Sequence, residues 1–339
     1  MAIAFITSEI PMTLDLREIL ACPRCRHEGL NKTEGNLSCP SCGELYPLVD
    51  NIPVCVCDAA ERKAIMGSGS PPVAGKEKFY NDRELITQFL CHQEVMENLE
   101  QLKHFIPIPV PGPVLEIGSG NGMFQDMSEQ YVALDYSLVA LREFIAPWRP
   151  RICGSAEILP FRDSVFDLVF TRATLEHVPR PDRAFAEILR VLKPGGMGYV
   201  FPAWNCRQWN CDGIPVRPYH DLNWPQKLTK LSLPLRESLI WRVLLRFPWR
   251  LFRVASHFLK PRPTELKYKS LRPDYEKFWM SDSDACSCLD SCESVLYYRS
   301  RGCPILHPGT SLLRQLFLRY EPIIFQKPES PDSLATSCD

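Results

Sequence analysis

Two groups of residues in this chain have types and spacing suited to chemistry. The first is a set of four cysteines in two Cys-x-x-Cys pairs, Cys22 with Cys25 and Cys39 with Cys42, thirteen residues apart. Each pair presents two thiolates from one tight turn, and two such pairs supply the four sulfurs that a tetrahedral zinc takes in a closed structural site. An unmetallated version of this segment, roughly 45 residues, would have almost no core of its own. With all four positions filled by protein, a folding role is expected, not a catalytic one.

The second group is Val114-Leu115-Glu116-Ile117-Gly118-Ser119-Gly120-Asn121-Gly122, an apolar strand that breaks into a loop with glycine at 118, 120 and 122. Alternate glycines let the backbone turn sharply and let a flat ligand lie against it, above the next helix N-terminus. A dinucleotide fingerprint needs a further glycine where Met123 stands, so a nucleoside without a pyrophosphate is the expected ligand. A second strand, Tyr131 to Leu134, ends on Asp135, seventeen residues after Gly118, where an acid can accept both ribose hydroxyls.

The elements that must position these residues follow in order. A third strand lies around Arg151 to Cys153, before Gly154-Ser155-Ala156-Glu157, and a fourth over Val165 to Phe170 leads into Thr171-Arg172-Ala173-Thr174-Leu175-Glu176-His177-Val178. A helix is predicted from about Pro181 to Leu192, closed by Lys193-Pro194-Gly195-Gly196 and followed by a fifth strand, Met197 to Pro202.

Over roughly Pro113 to Pro202, these five motifs in order resemble the class I S-adenosylmethionine (SAM) methyltransferases, specifically the methyltransferase type 11 group. The resemblance implies an α/β fold, a Rossmann-like seven-stranded methyltransferase sheet with helices on both faces, and SAM as cofactor. It places Glu116, Gly118, Gly120 and Gly122 around the methionine end, Asp135 on the ribose and Tyr136 beside the adenine. Ser155, Ala156 and Glu157 would neighbour the adenine amine, and Thr171 also falls among the implied cofactor contacts. Many relatives carry aspartate where Ser155 stands, and a neutral hydroxyl bonds more weakly. The methyl group of SAM is already activated, so proximity and orientation carry the transfer and no nucleophilic residue is needed. His177 is the candidate catalytic residue, a general base for a hydroxyl acceptor; its alternative role is to cap or pack the helix that follows. No Asn-Pro-Pro-Tyr type motif is present, which disfavours methylation of an amino group by that route.

The frame around the cysteines, Leu16 to Pro23 and Leu45 to Val54, resembles the small zinc-ribbon subunit that activates tRNA and protein methyltransferases. Asn51 stands where that family commonly has glycine, a substitution that a left-handed turn tolerates. The expected organisation is a zinc-ribbon domain over 12–58, a flexible linker over 59–78, a methyltransferase domain over 79–328 with a cap insertion at about 203–271, and a disordered tail over 329–339. Gly67-Ser68-Gly69-Ser70-Pro71-Pro72 motivates the linker. Because it separates two cores, the methyltransferase domain is expected to keep its fold when zinc leaves. A helix is predicted from Phe79 to Ile106, with Tyr80 and Arg83 as candidate cofactor contacts.

Within the cap, Leu239 to Lys260 has no acidic residue, and Arg242, Arg246, Arg250, Arg253 and Lys260 recur at helical spacing between apolar residues. Pro248 is expected to split or kink the run. Such a segment suits an anionic membrane surface, a phosphorylated substrate, or a cap helix with a solvated basic face.

Composition bounds the rest. The 339 residues are 45% hydrophobic and 23% charged with a net charge of −1, an ordinary globular balance that offers nucleic acid no global attraction. Fifteen cysteines, an odd number in a chain too long to need staples, argue against a secreted disulfide scaffold. Cys286, Cys288, Cys292 and Cys303 lack a recognised zinc spacing. Met1 to Pro11 has no basic n-region and no apolar run reaches 18 residues, so a cytoplasmic location is expected, with peripheral membrane contact through 239–260. The leading function is methyl transfer to a small-molecule, lipid-linked or glycan acceptor. The alternatives are a ribosomal or transfer RNA methyltransferase with a zinc-ribbon recognition domain, and a non-catalytic SAM-fold adaptor.

Overall fold

The structure, a computed structural model, describes residues 14–67, 76–84, 86, 102–259, 262–275, 282–309, 311–317 and 320–329. The Gly-Ser-Pro stretch over 68–75, the inner part of the helix predicted at Phe79 to Ile106, and the tail from 330 onward lie outside the described residues.

The chain opens with helix α1 (Leu16–Ile19), whose first turn is capped by the Asp15 carboxylate. A four-stranded antiparallel meander follows: β1 (Asn31–Thr33), β2 (Asn36–Ser38), β3 (Leu45–Val49) and β4 (Ile52–Pro53). The turn between β3 and β4 uses Asp50 and Asn51 at φ 51° and 62°, the left-handed conformation that asparagine and aspartate accept more readily than other non-glycine residues. Helices α2 (Ala59–Ile65) and α3 (Lys76–Asn81) lead toward the larger sheet.

That sheet is built from β5 (Val114–Ile117), β6 (Tyr131–Asp135), helix α4 (Leu138–Glu143), β7 (Arg151–Cys153), β8 (Phe166–Arg172), helix α5 (Pro181–Val191) and β9 (Leu192–Phe201). The cap then contributes α6 (Gln208–Cys211), α7 (Trp224–Glu237) and α8 (Leu239–Leu259). A small ribbon of β10 (Lys269–Ser270) and β11 (Ser287–Cys288) precedes α9 (Ser291–Arg299), β12 (Ile305–His307), α10 (Leu312–Phe317) and β13 (Ile323–Gln326). The strand order is β12-β13-β9-β8-β5-β6-β7, parallel from β7 to β9 and antiparallel at β13 and β12. Alternate residues of one strand enter opposite cores: Leu115, Ile117, Val132 and Leu134 face one cluster, Val114, Tyr131 and Ala133 the other. Strands apolar on both faces need cover on both, as this layered fold supplies. The order reverses between β5 and β8, and the crevice beyond the carboxyl ends of these strands is where an open α/β sheet takes its ligand.

The cysteine domain does not stand apart from this sheet. Val54 forms a parallel bridge with Cys153 on edge strand β7, and Leu20 an antiparallel bridge with Phe161. Ala21 N donates to Pro160 O at 3.0 Å and Arg162 N to Ile19 O at 2.9 Å. Ile19, Leu20, Leu30, Leu37 and Tyr46 belong to the same buried cluster as Leu159 and Phe161. A small domain that cannot bury enough apolar surface alone completes its core against the free edge of the larger one. The expectation of two separate cores is thus corrected. So is the extent of the linker: residues 59–65 form α2, capped by Asp58, with Ile65 buried in the second cluster, and α3 begins at Lys76. Arg62 on α2 pairs with Glu44 and donates to Val56 O at 2.6 Å, clamping the cysteine domain from its far side.

The cap differs from expectation in two ways. Helix α8 runs through Pro248 as one element, losing a single N–H donor without being divided. Two of its arginines do not face outward: Arg250 pairs with Asp290 at 2.8 Å and donates to Leu316 O at 2.6 Å, and Arg253 pairs with Glu293 at 2.8 Å. What α8 turns outward is apolar, with Ile240 73% and Leu244 65% exposed. Cys288, Cys292 and Cys303 enter three different clusters, so the late cysteines do not converge on one ion. No helix among the described residues is long and apolar enough to cross a membrane.

Candidate functional site

The crevice beyond β5 is shaped by backbone. Gly118, Gly120 and Gly122 have φ of 76°, 47° and 69°. A Cβ at Gly118 would lie 2.1 Å from Thr174 Oγ1, so the loop is pressed against the turn after β8 and admits only glycine there. Asp135, at the end of β6, bridges the two halves: Oδ2 accepts from Gly120 N at 2.8 Å and Oδ1 from Ser137 N at 2.8 Å. Burial raises the Asp135 pKa, and these amides work against that rise.

Two buried hydroxyls at the carboxyl ends of these strands, Ser119 Oγ and Thr171 Oγ1, have no hydrogen-bond partner. Thr171 pairs in register with Ile117, directly before the glycine loop. Unsatisfied buried hydroxyls beside a loop open to ligand fit a polar molecule that has yet to be added. A nucleoside sulfonium such as SAM, with its amino acid and ribose groups, matches this donor set.

The flanking residues are less uniform. The Tyr136 ring sits 3.8 Å from Lys76 Nζ and 6.0 Å from the Tyr80 ring, and its hydroxyl donates to Glu61, so α2 and α3 cover the far end of the crevice. Ser155 Oγ accepts from Glu157 N at 3.2 Å, Ala156 is buried beside them, and Glu157 accepts from Arg180 N at 3.1 Å. These three form one turn whose polar atoms are largely engaged. Glu116, next to Ile117 at the end of β5, has its buried carboxyl bonded to the Tyr131 hydroxyl, and burial holds its pKa well above the carboxylate range.

His177 lies in the short 3₁₀ turn Leu175–His177. Its Nδ1 is 3.0 Å from Asp284 Oδ2, and its Nε2 is 3.7 Å from Glu176 Oε1. Tyr80 on α3 donates to the same Asp284 oxygen at 2.6 Å. Burial alone would lower the His177 pKa, but Asp284 more than offsets it and the value rises to about 10. Glu176 is pushed up to about 7 by burial. This close approach ties the turn after β8 to the loop at Asp284, and a raised pKa works against the general-base role expected of His177 at neutral pH. Nothing near His177 in sequence signals Asp284, since only the chain's return after the cap brings the two together.

In the cysteine domain, Cys22 Sγ lies 3.7 Å from Cys42 Sγ and Cys25 Sγ 3.5 Å from Cys39 Sγ, with all four within 4.8 Å of one another. A zinc with Zn–S bonds of about 2.3 Å has tetrahedral edges of about 3.8 Å, so these thiols fit one ion. The Tyr46 hydroxyl, fully buried, approaches Cys22 Sγ at 3.2 Å and would orient that ligand.

Comparison with known proteins finds likeness in both parts of the chain. Residues 115–200 match the family described as "Methyltransferase domain", and residues 13–51 match "Trm112p-like protein". A demethylmenaquinone methyltransferase of Renibacterium salmoninarum is 42% identical over 94 residues, 26% of this chain and 40% of that protein. A malonyl-[acyl-carrier protein] O-methyltransferase of Methylococcus capsulatus is 35% identical over 100 residues, 26% of this chain and 36% of that protein. The chain therefore spans well under two thirds of these relatives' length. Among solved structures, a complex of the Haloferax volcanii Trm112 methyltransferase activator with a methyltransferase is 14% identical, covering 73% of this chain and 98% of that one at a TM-score of 0.35.

Proposed function

We propose that this chain, which carries a methyltransferase domain behind a Trm112p-like domain, is a SAM-dependent methyltransferase with a structural zinc, acting on a small-molecule or lipid-linked acceptor. The observation that carries the reading is the loop at Gly118 to Gly122, held open by Asp135 and flanked by two buried hydroxyls without partners. When bound, SAM would supply a methyl group already activated on sulfonium. The chain's residues then bind and orient: the loop amides and the hydroxyls of Ser119 and Thr171 at the methionine end, Asp135 at the ribose, and Tyr136, Ser155, Ala156 and Glu157 around the base. His177, beside Asp284, holds the turn after β8 that carries Thr174 against the loop. Cys22, Cys25, Cys39 and Cys42 would hold zinc and stiffen the domain that covers edge strand β7.

Relatives named for demethylmenaquinone and malonyl-[acyl-carrier protein] substrates favour a quinone or carrier-bound acyl acceptor over RNA. Helices α7 and α8 expose many large apolar side chains, among them Leu231, Leu235, Ile240 and Leu244, which supports peripheral contact with a lipid surface. RNA remains the alternative acceptor because the Trm112p-like module accompanies methyltransferases of that kind. Calorimetric titration with SAM tests the core of the proposal: one site per chain is expected, and no binding would remove it. Cross-linking to total RNA separates the acceptor classes.

A further inference from the structure

A second space is lined by none of the residues assigned to the cofactor. A cavity of about 390 Å³ opens beside the ends of β8 and β9 and under the cap, lined in part by Arg172, Phe201, Trp204 and Arg246. Arg172 is the last residue of β8, one position past the unpartnered Thr171, and pairs in register with Phe201. Its guanidinium is partly buried, 6.0 Å from the Phe201 ring, and burial pushes its pKa below the ordinary value. Arg246 comes from the cap. It lies one helical turn before Arg250, which the Asp290 pair turns inward, so Arg246 projects on the same side of α8, over the cavity. Its Nη2 is buried without a hydrogen-bond partner.

Burying an arginine is costly unless an anion meets it, and elsewhere on α8 the protein provides carboxylates for that purpose. Here, among the described residues, neither Arg172 nor Arg246 forms an ion pair, although Glu237 and Asp282 also line the cavity. Two guanidiniums lining one cavity, one from the sheet and one from the cap, suit a group that carries two negative charges and several acceptor oxygens in a fixed geometry. We propose that Arg172 and Arg246 bind a phosphate or diphosphate group of the acceptor, placing the acceptor beside the end of β8 where methyl transfer would occur. This rests on the methyltransferase reading for its purpose but not for its test. The group's source is either a lipid headgroup or a soluble phosphate ester, which share this chemistry.

The experiment titrates the full chain with inorganic pyrophosphate by calorimetry at constant ionic strength, with SAM titrated separately. Saturable one-site binding of pyrophosphate is expected. Arg246→Gln and Arg172→Gln should each weaken it at least tenfold, while SAM affinity stays within twofold. Arg246→Lys, which keeps the charge and loses the fork, should recover only part of the loss. Geranyl diphosphate binding more tightly than glucose 1-phosphate assigns the lipid source, and the reverse assigns the soluble one. Absence of saturable binding to the wild-type chain overturns the proposal, as does equal affinity in all variants or malonate binding as tightly as pyrophosphate. Failure to bind SAM with pyrophosphate binding intact would count against the methyltransferase reading alone.

Discussion

Cys55, just past the fourth strand of the cysteine domain, donates its backbone N–H to the carbonyl oxygen of Cys153 on edge strand β7 at 2.7 Å. With the Val54 bridge to Cys153, this joins the small domain to the larger sheet through backbone. Its apolar residues share a cluster with Leu159, Phe161 and Phe185. The two parts therefore share one core, and a single cooperative transition is expected.

Loss of metal should be felt throughout that core. Cys39→Ser, or strong chelation, is expected to remove zinc and to lower the midpoint of a single thermal transition. A loss of about 3 kcal/mol would correspond to roughly 6–12 °C in a domain of ordinary size. Calorimetry with metal analysis provides the check: a second transition at the wild-type temperature would show that the domains unfold independently.

Gly118→Ala should be among the most damaging single-methyl changes. The backbone there has φ 76° and the added carbon would lie 2.1 Å from Thr174 Oγ1. The turn after β8 would have to retreat from the loop, costing about 1–3 kcal/mol in strain and weakening SAM binding at least tenfold. Affinity equal to wild type would mean that the ligand does not use this loop.

Asp135→Ala should weaken SAM by about 1–3 kcal/mol. The same change also releases the Gly120 and Ser137 amides, so a drop in stability should accompany it. Asp135→Asn keeps one acceptor and should fall between the two in both measurements. Full retention of SAM affinity in the alanine variant would exclude Asp135 from the ribose site.

Much of this site was legible because its residues are close in sequence. Gly118 to Gly122, Asp135 and the turn at Ser155 each follow a strand of the parallel sheet, and a parallel sheet gathers successive strand ends along one edge. The cysteines were legible for a similar reason, since two short turns carry all four. What sequence did not disclose depends on long return paths. Asp284 reaches His177, and Asp290 reaches Arg250, only after the cap has been built. Helical spacing of Arg242, Arg246, Arg250 and Arg253 suggested one basic face, but it gave no indication that Asp290, the cap of α9, and Glu293 within it would turn Arg250 and Arg253 inward. The docking of the cysteine domain was hidden because an edge strand advertises no partner in its own sequence.

The His177 and Asp284 pair predicts a pH dependence of stability. The folded pKa of His177, about 10, lies above the ordinary value of about 6.5. Its contribution is fully present below pH 6.5 and is lost as pH rises through 10, because the folded state then gives up the proton that the unfolded state has already released. Denaturant titrations from pH 6 to 10 should show falling stability in the wild type and a flatter profile in Asp284→Asn. Parallel profiles would mean that the pair is not ionised as described.

The last prediction concerns the outer face of the cap. Leu239, Ile240, Leu244 and Phe252 are all more than half exposed on α8, and Leu231 and Leu235 extend the surface onto α7. Because Arg250 and Arg253 are held in ion pairs, attraction to lipid should come mainly from apolar insertion, at about 1.5–3 kcal/mol for each large side chain fully buried. Such binding should survive high salt and neutral lipid, unlike the screened attraction of a basic face. Ile240→Asp with Leu244→Asp should abolish it while leaving SAM affinity unchanged, since neither residue lines the cavity or the crevice. Vesicle sedimentation with neutral and anionic lipid, at low and high salt, separates the cases. Binding only to anionic vesicles at low salt would return the interaction to electrostatics, and full recovery in the supernatant throughout would remove lipid contact from the role of this face.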